Sequence, residues 1–293
     1  MSTVDLSALP VPEVLEPLDF EEVYAEELAT FRSFMGDNWS APLESDPVVK
    51  LLEVGALRRL QNRARVNDSA KALLLPYAQD GDLDQLASNV SIQRLVIQAE
   101  NLTTVPPTPK VMESNDALRE RVQLAFEGLT TAGPRNSYIL HARNASALVG
   151  DATAESPSPA VVVVTVQHLN GPGIADKALL DQVETYLSED NIRPVADRLK
   201  VQGAEVINYR VDAILHMEGA GPENETLRAE AERRLAAWVN PRRRLGVEVA
   251  RSGVDAQLHI SGVRRVELIG WTDIRPTKAQ AAYCRGFTVN LGD

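Results

Sequence analysis

Residues 191–217, NIRPVADRLKVQGAEVINYRVDAILHM, hold the densest set of chemistry-bearing side chains in the chain. Arg193, Pro194 and Asp197 form an Arg–Pro–x–x–Asp set, and Asn208, Arg210, Asp212 and His216 then fall at even positions of a strand-like run. Acid, base and cation at such spacing can do general acid–base work. They can equally form the wetted face of a sheet, where charges pair across strands or with another chain. Arg193 sits before a proline and so avoids the helical region, which marks a helix exit. Asp197 is expected to accept backbone N–H bonds, or to pair with Arg193 or Arg198, and so hold the turn. Ile207, Tyr209, Val211, Ala213 and Leu215 point to the opposite face of the run. The stretch reads as a structural corner followed by a polar sheet face.

No other segment offers a better site. The chain has no GxxxxGK[ST], no GxGxxG after a strand, no HExxH and no GxSxG. NGPGIAD is glycine-rich but lacks the lysine and spacing of a phosphate cradle. His141, His168, His216 and His259 are spread over separate elements with no short ligand spacing, and Cys284 is the single cysteine. Asp82/Asp84 and Glu189/Asp190 look like turn and cap residues. The basic loop PRRRLG, which includes Arg243, suits an acidic protein surface as well as plain solvation. No catalytic, cofactor-binding or metal-binding residue is therefore assigned, no cofactor is expected, and the chain is expected not to be an enzyme. The alternative is a hydrolase with an unrecognised site, using Asp or Glu with one of the histidines.

Composition narrows the class further. The chain has 293 residues, 44% of them hydrophobic, with 30 basic against 41 acidic side chains and a net charge of −11. That balance lacks the basic footprint of a nucleic-acid binder. No apolar run approaches the length of a membrane-spanning helix. The start, MSTVDLSALPVPEVLEPLDF, has neither a basic region nor a long apolar one, so no secretory signal is expected. Assembly in the bacterial cytoplasm, away from membrane and nucleic acid, is the expectation.

The elements that must position these residues follow from periodicity. Pro10, Pro12 and Pro17 make residues 1–18 an extended arm. Asp19 caps a helix to about Met35 with Phe20, Val23, Tyr24, Leu28, Phe31, Phe34 and Met35 on one stripe. Its other face holds Glu21, Glu22, Glu26 and Glu27, with Asp37 beyond the end. Asp46–Pro47 opens a second helix running towards Tyr77, with Leu52 and Leu60 in its stripe and a basic face that includes Arg58, Arg59, Arg63 and Arg65. Acidic and basic helices suggest an antiparallel pair. QDGDLDQLA is a turn into a short helix, TTVPPTPK a proline-rich link, and two further helices reach about residue 148. After Val149 come a buried strand at 160–166, a helix at 175–189, the polar-faced strand, a helix at 224–239, and the strands GVRRVELIG and GFTVNLGD. The fold class is α+β, a mostly helical N-terminal half followed by a ferredoxin-like α+β region. The predicted divisions are 1–18, 19–148 and 149–293. Candidate interface residues are Phe20, Tyr24, Phe31, Leu52, Leu60 and Arg63 on the helices, Arg210 and Asp212 on the sheet face, and Arg243 in the basic loop.

The same segments resemble the baseplate J-like proteins, baseplate wedge components of contractile-tailed phages and R-type phage-tail-like bacteriocins. LPVPEVLEPLDFEEV is similar to the family's opening, and LLEVGALRRLQNRARVNDSAKALLLPYAQDGDLDQLA to its central helices and Asp–Leu–Asp turn. ESNDALRERVQLAFEGLTTAGPRNSYILHA resembles its charged helix and Ala–Gly–Pro turn. NIRPVADRLKVQGAEVINYRVDAIL matches its corner and strand, and LGVEVARSGVDAQLHISGVRRVEL its closing helix and strand. The chain departs at Gln79–Asp80–Gly81, where the family commonly has Ala–Thr–Gly, and near Gly270 and Trp271, where a proline is usual. The resemblance implies a structural role. Two copies would join one copy of a second baseplate tail protein through N-terminal helices. C-terminal domains would meet those of adjacent wedges as homodimer contacts, linking wedges into a ring around the spike, with sheath-initiator and spike or hub proteins as neighbours. A scaffold in another contractile injection machine fits the same residues.

Overall fold

The computed structural model of the protein describes residues 6–10, 12–36, 43, 46–129, 133–241 and 243–292. The first five residues of the arm, Asp37, Thr130–Ala132 before the Gly–Pro turn, and Arg242 of the basic loop lie outside the described residues. The chain forms two compact units. One holds Asn115–Val122 and the described residues up to Gln93; the other holds Arg94–Ser114 and everything from Gln123 onward.

The first unit is built on two long helices. Helix α1 (Phe20–Met35) starts where the Asp19 carboxylate accepts the N–H groups of Glu21 at 2.9 Å and Glu22 at 3.2 Å. Helix α2 (Pro47–Ala72) starts the same way, with Asp46 accepting from Val48 at 2.8 Å and proline in the first position. It runs unbroken through QNRAR. Glu26 and Glu27 meet Arg59, Glu26 also meets Arg63, and Glu16 meets Arg63 and Asn67. Partner numbers fall along α2 as they rise along α1, so the pair is antiparallel, as its charges suggested. Helix α3 (Asp80–Ser88) buries Leu83 and Ala87. Helix α4 (Asn115–Leu124) is tied to the turn before it by Arg119, which donates to the carbonyls of Leu75 and Ala78 at 2.8 Å each.

The second unit opens with a hairpin, β1 (Val96–Gln98) against β2 (Val111–Met112). Asn101 and Thr108 exchange both backbone hydrogen bonds at 2.9 Å, so TTVPPTPK is the tip of this hairpin rather than a link. Helix α5 (Arg135–Ala145) and α6 (Lys177–Leu187) cover one face of a sheet of β3 (Val149–Ser158), β4 (Val161–His168) and β5 (Arg198–Gly203). β3 and β4 are antiparallel; β4 and β5 are parallel across α6. Tyr138, Ala142, Ala152, Val164, Val166 and Val183 share this core. A second sheet has β6 (Glu205–Met217) at its centre, antiparallel to β7 (Val263–Leu268) and parallel to β8 (Gln280–Leu291). Helices α7 (Asn224–Val239) and α8 (Arg251–Leu258) pack on its apolar face through Leu235, Val254 and Leu258 against Val211, Ala213 and Leu215.

The α+β class holds, helical first and stranded after. The strands, however, fill two three-stranded sheets instead of one ferredoxin-like sheet. β4 pairs with β5 through one crossover and β6 with β8 through another, while β5 and β6, only one residue apart, do not pair. Composition also placed a division at 148/149, but α5 packs against β3 in one core and so belongs with the strands.

Candidate functional site

Most of the helix residues predicted to meet a partner are used within the first unit. Phe20 and Tyr24 stack at 6.1 Å and 6°. Phe31 on α1 and Leu52 and Leu60 on α2 are half-buried beside the buried Val23, Val49 and Ala56. Arg63 pairs with Glu16 at 2.9 Å and Glu26 at 3.6 Å. Sequence reading missed Asn67, which is buried and clasps the arm: it accepts from Glu16 N–H at 3.0 Å and donates to the Glu16 carbonyl at 2.8 Å. Its signal was an amide at core spacing, eleven residues after Ala56. What stays open is the opposite side of α2. Leu51, Val54, Leu57, Val66 and Leu73 are exposed there, and Leu51, Val54, Arg58 and Arg65 follow helical spacing along it.

The corner is held by a different partner from the one expected. Asp197 Oδ2 accepts the Tyr138 hydroxyl at 2.7 Å, and the Asp197 N–H donates to the Pro194 carbonyl at 3.1 Å. The Arg193 N–H closes the preceding turn on Glu189 at 2.9 Å. Burial, then the hydrogen bond to Asp197 and its charge, push the Tyr138 pKa well above the ordinary phenol value, while Arg193 opposes this. The Asp197 side chain is therefore paired with a phenol from α5, not with Arg193, Arg198 or backbone N–H groups.

The polar row lies on the face of the second sheet away from α7 and α8. Arg210 donates to Asp212 at 2.9 Å and to Thr288 on β8. His216 is flanked on β7 by Glu267 at 3.2 Å and Arg265 at 2.9 Å. Arg243 reaches elsewhere: it donates to the carbonyls of Gly171 at 2.6 Å and Leu169 at 3.2 Å and lies 5.5 Å above the Tyr283 ring. Burial lowers its pKa. Beside it, a cavity of about 250 Å³ is lined by Trp238, Val239, Val247, Val249 and Ala282, with Arg244 and Glu248 at its edge.

The titratable groups do not gather. Burial lowers the pKa of His141 and raises that of the Cys284 thiol, which is buried and donates to the Gly286 carbonyl. Among the described residues no group of three or more His, Cys, Asp or Glu could hold a metal ion. None of their helices is long and apolar enough to cross a membrane.

Comparison with known proteins gives these surfaces a setting. The chain is 41% identical to Baseplate protein J of Escherichia phage P2 over 299 residues, spanning 100% of this chain and 99% of that protein. The chain belongs to the baseplate J-like family. It is thereby a structural component of a baseplate. The Baseplate J-like N-terminal domain matches residues 44–101, which hold α2, α3 and β1, and the Baseplate J-like central domain matches 130–203. The central match coincides with the first sheet, its two helices and the Arg193–Asp197 corner. The solved anti-feeding prophage baseplate, 6-fold symmetrised, has a chain that matches 67% of this one at 14% identity and a TM-score of 0.39. This baseplate J-like chain spans about half, 49%, of the length of that chain. The tip of the hairpin and the second sheet lie outside both matched domains.

Proposed function

We propose that this chain is a non-enzymatic wedge component of a contractile-tail baseplate. Two copies join one copy of a second tail protein through the helical unit. The sheet-bearing unit meets that of a neighbouring wedge and links wedges into a ring around the spike, with sheath-initiator and hub proteins alongside. Assembly takes place in the bacterial cytoplasm and uses neither nucleic acid nor membrane.

The observation that carries this reading is the two-sided α2. One side is closed against α1; the other exposes five large apolar side chains beside Arg58 and Arg65, a patch that a monomeric protein rarely leaves open. An amphipathic helix with acidic flanks would complete it. The open polar face around Arg210, Asp212, Glu267 and Arg265 carries both signs of charge and suits a second sheet of the same kind. The non-enzymatic reading is supported by the cavity's lining: it holds no histidine, and its one carboxylate, Glu248, pairs with Arg275 at 2.8 Å.

The test is mass by light scattering after size exclusion, for the chain alone and co-expressed with its neighbouring tail proteins. A discrete complex with two copies per partner is expected. A compact monomer in both preparations would overturn the reading.

A further inference from the structure

The hairpin β1–β2 presents an apolar tip on a stiff support. Val105 is 98% exposed and Leu102 71%, with Pro106, Pro107 and Pro109 beside them. No charged residue occurs from Asn101 to Pro109; Glu100 and Lys110 stand on the two strands at the neck. The tip is held in shape by its own bonds. Besides the paired backbones of Asn101 and Thr108, Asn101 Oδ1 accepts from the Thr103 N–H at 2.9 Å and its hydroxyl at 2.6 Å, and the Thr104 and Thr108 hydroxyls lie 2.9 Å apart. A tip ordered in advance spends little entropy on docking, and its apolar surface is available for burial.

The same unit offers a complementary receptor. The cavity beside Trp238 and Val247 is apolar inside, with Arg243 and Arg244 on its edge and Glu248 also on the lining. Its charges answer those of the neck: Glu100 suits the arginines and Lys110 suits Glu248. The exposure of Val105 shows that the chain's own tip does not fill its own cavity.

We propose that the hairpin tip of one copy seats in the Trp238 cavity of a second copy. Tip and cavity are different surfaces, so the contact is heterologous, and repeating it from copy to copy closes into a ring or continues as a filament. The inference deepens the baseplate reading, on which it rests for the place where copies meet.

The test pairs Val105→Cys with Val247→Cys, both exposed positions whose change leaves the cores alone. The double variant is assembled with the neighbouring tail proteins, oxidised and run on a non-reducing gel. A ladder of two, three and more linked copies is expected, absent from either single variant. Particles that contain the chain without any such link would overturn the docking, as would a link from Val105→Cys to a different tail protein or between two tips. Failure of the chain to enter any particle would instead count against the baseplate reading, and oxidation of the concentrated chain alone would then decide the docking.

Discussion

The Tyr138 hydroxyl donates to the Asp197 carboxylate at 2.7 Å, joining helix α5 to the corner before β5 across 59 residues of sequence. Tyr138 is buried in the core of the first sheet, so the bond fixes a loop to packed structure. Loss of one partner leaves a buried polar group unsatisfied, which costs about 1–3 kcal/mol. Asp197→Ala is expected to lower stability by that amount in chemical denaturation, and Tyr138→Phe by the lower end of it. Equal stability of all three chains would show that the corner is held by something else.

The same bond gives a pH dependence. The folded state raises the Tyr138 pKa through burial first and Asp197 second, and burial raises that of Tyr209 as well. A phenol whose folded pKa is raised contributes stability in full below its unfolded value of about 10, and loses it as pH rises above that. Melting temperature should therefore fall more steeply above pH 10 in the wild type than in Tyr138→Phe.

Asn67 ties the arm to α2 through two bonds to Glu16 and stands beside the Arg63–Glu16 ion pair. Asn67→Ala should release the arm at a cost of about 1–3 kcal/mol. Limited proteolysis is expected to cut at residues 12–19 in the variant and to spare them in the wild type.

On the open side of α2, Leu51→Glu with Val54→Glu should change the stability of the isolated chain by no more than about 0.5 kcal/mol, since both side chains face solvent. The complex with the second tail protein should be lost in the same size-exclusion experiment. A complex of unchanged mass would remove this face from the interface.

Arg210 and Asp212 form an exposed pair, with side chains 56% and 41% accessible. Such pairs contribute at most about 1 kcal/mol. Arg210→Ala should leave the melting curve almost unmoved while reducing the yield of assembled particles. A full yield would place the wedge-to-wedge contact elsewhere.

The helices were readable where a cap and a stripe coincide. Asp19 before Phe20, Asp46 before Pro47 and Asp176 before Lys177 all accept N–H groups from the first turn, as local chemistry requires. The strand at 160–166 was readable from its run of valines. Its neighbour β3 was not, because GDATAESPS shows little apolar alternation: its inward positions are Ala152 and Ala154, and its strand character comes from pairing with β4. The proline-rich hairpin was hidden for a like reason, since its two short strands are defined by each other.

The residues of the candidate site divide in the same way. The sequence alone determined that Asn208, Arg210, Asp212 and His216 share a face, since a strand alternates with period two. It also determined the opposed charges of α1 and α2 and the ordered segments that resemble one family. Tertiary structure decided which charges were already spent, because Arg63 and Arg243 meet partners that lie 47 and about 70 residues away, Glu16 in one case and Leu169 and Gly171 in the other. It also decided that β5 and β6 enter different sheets, and that the apolar surface left open is the far side of α2. Local spacing sets which side chains share a face; only packing determines which of those faces is covered.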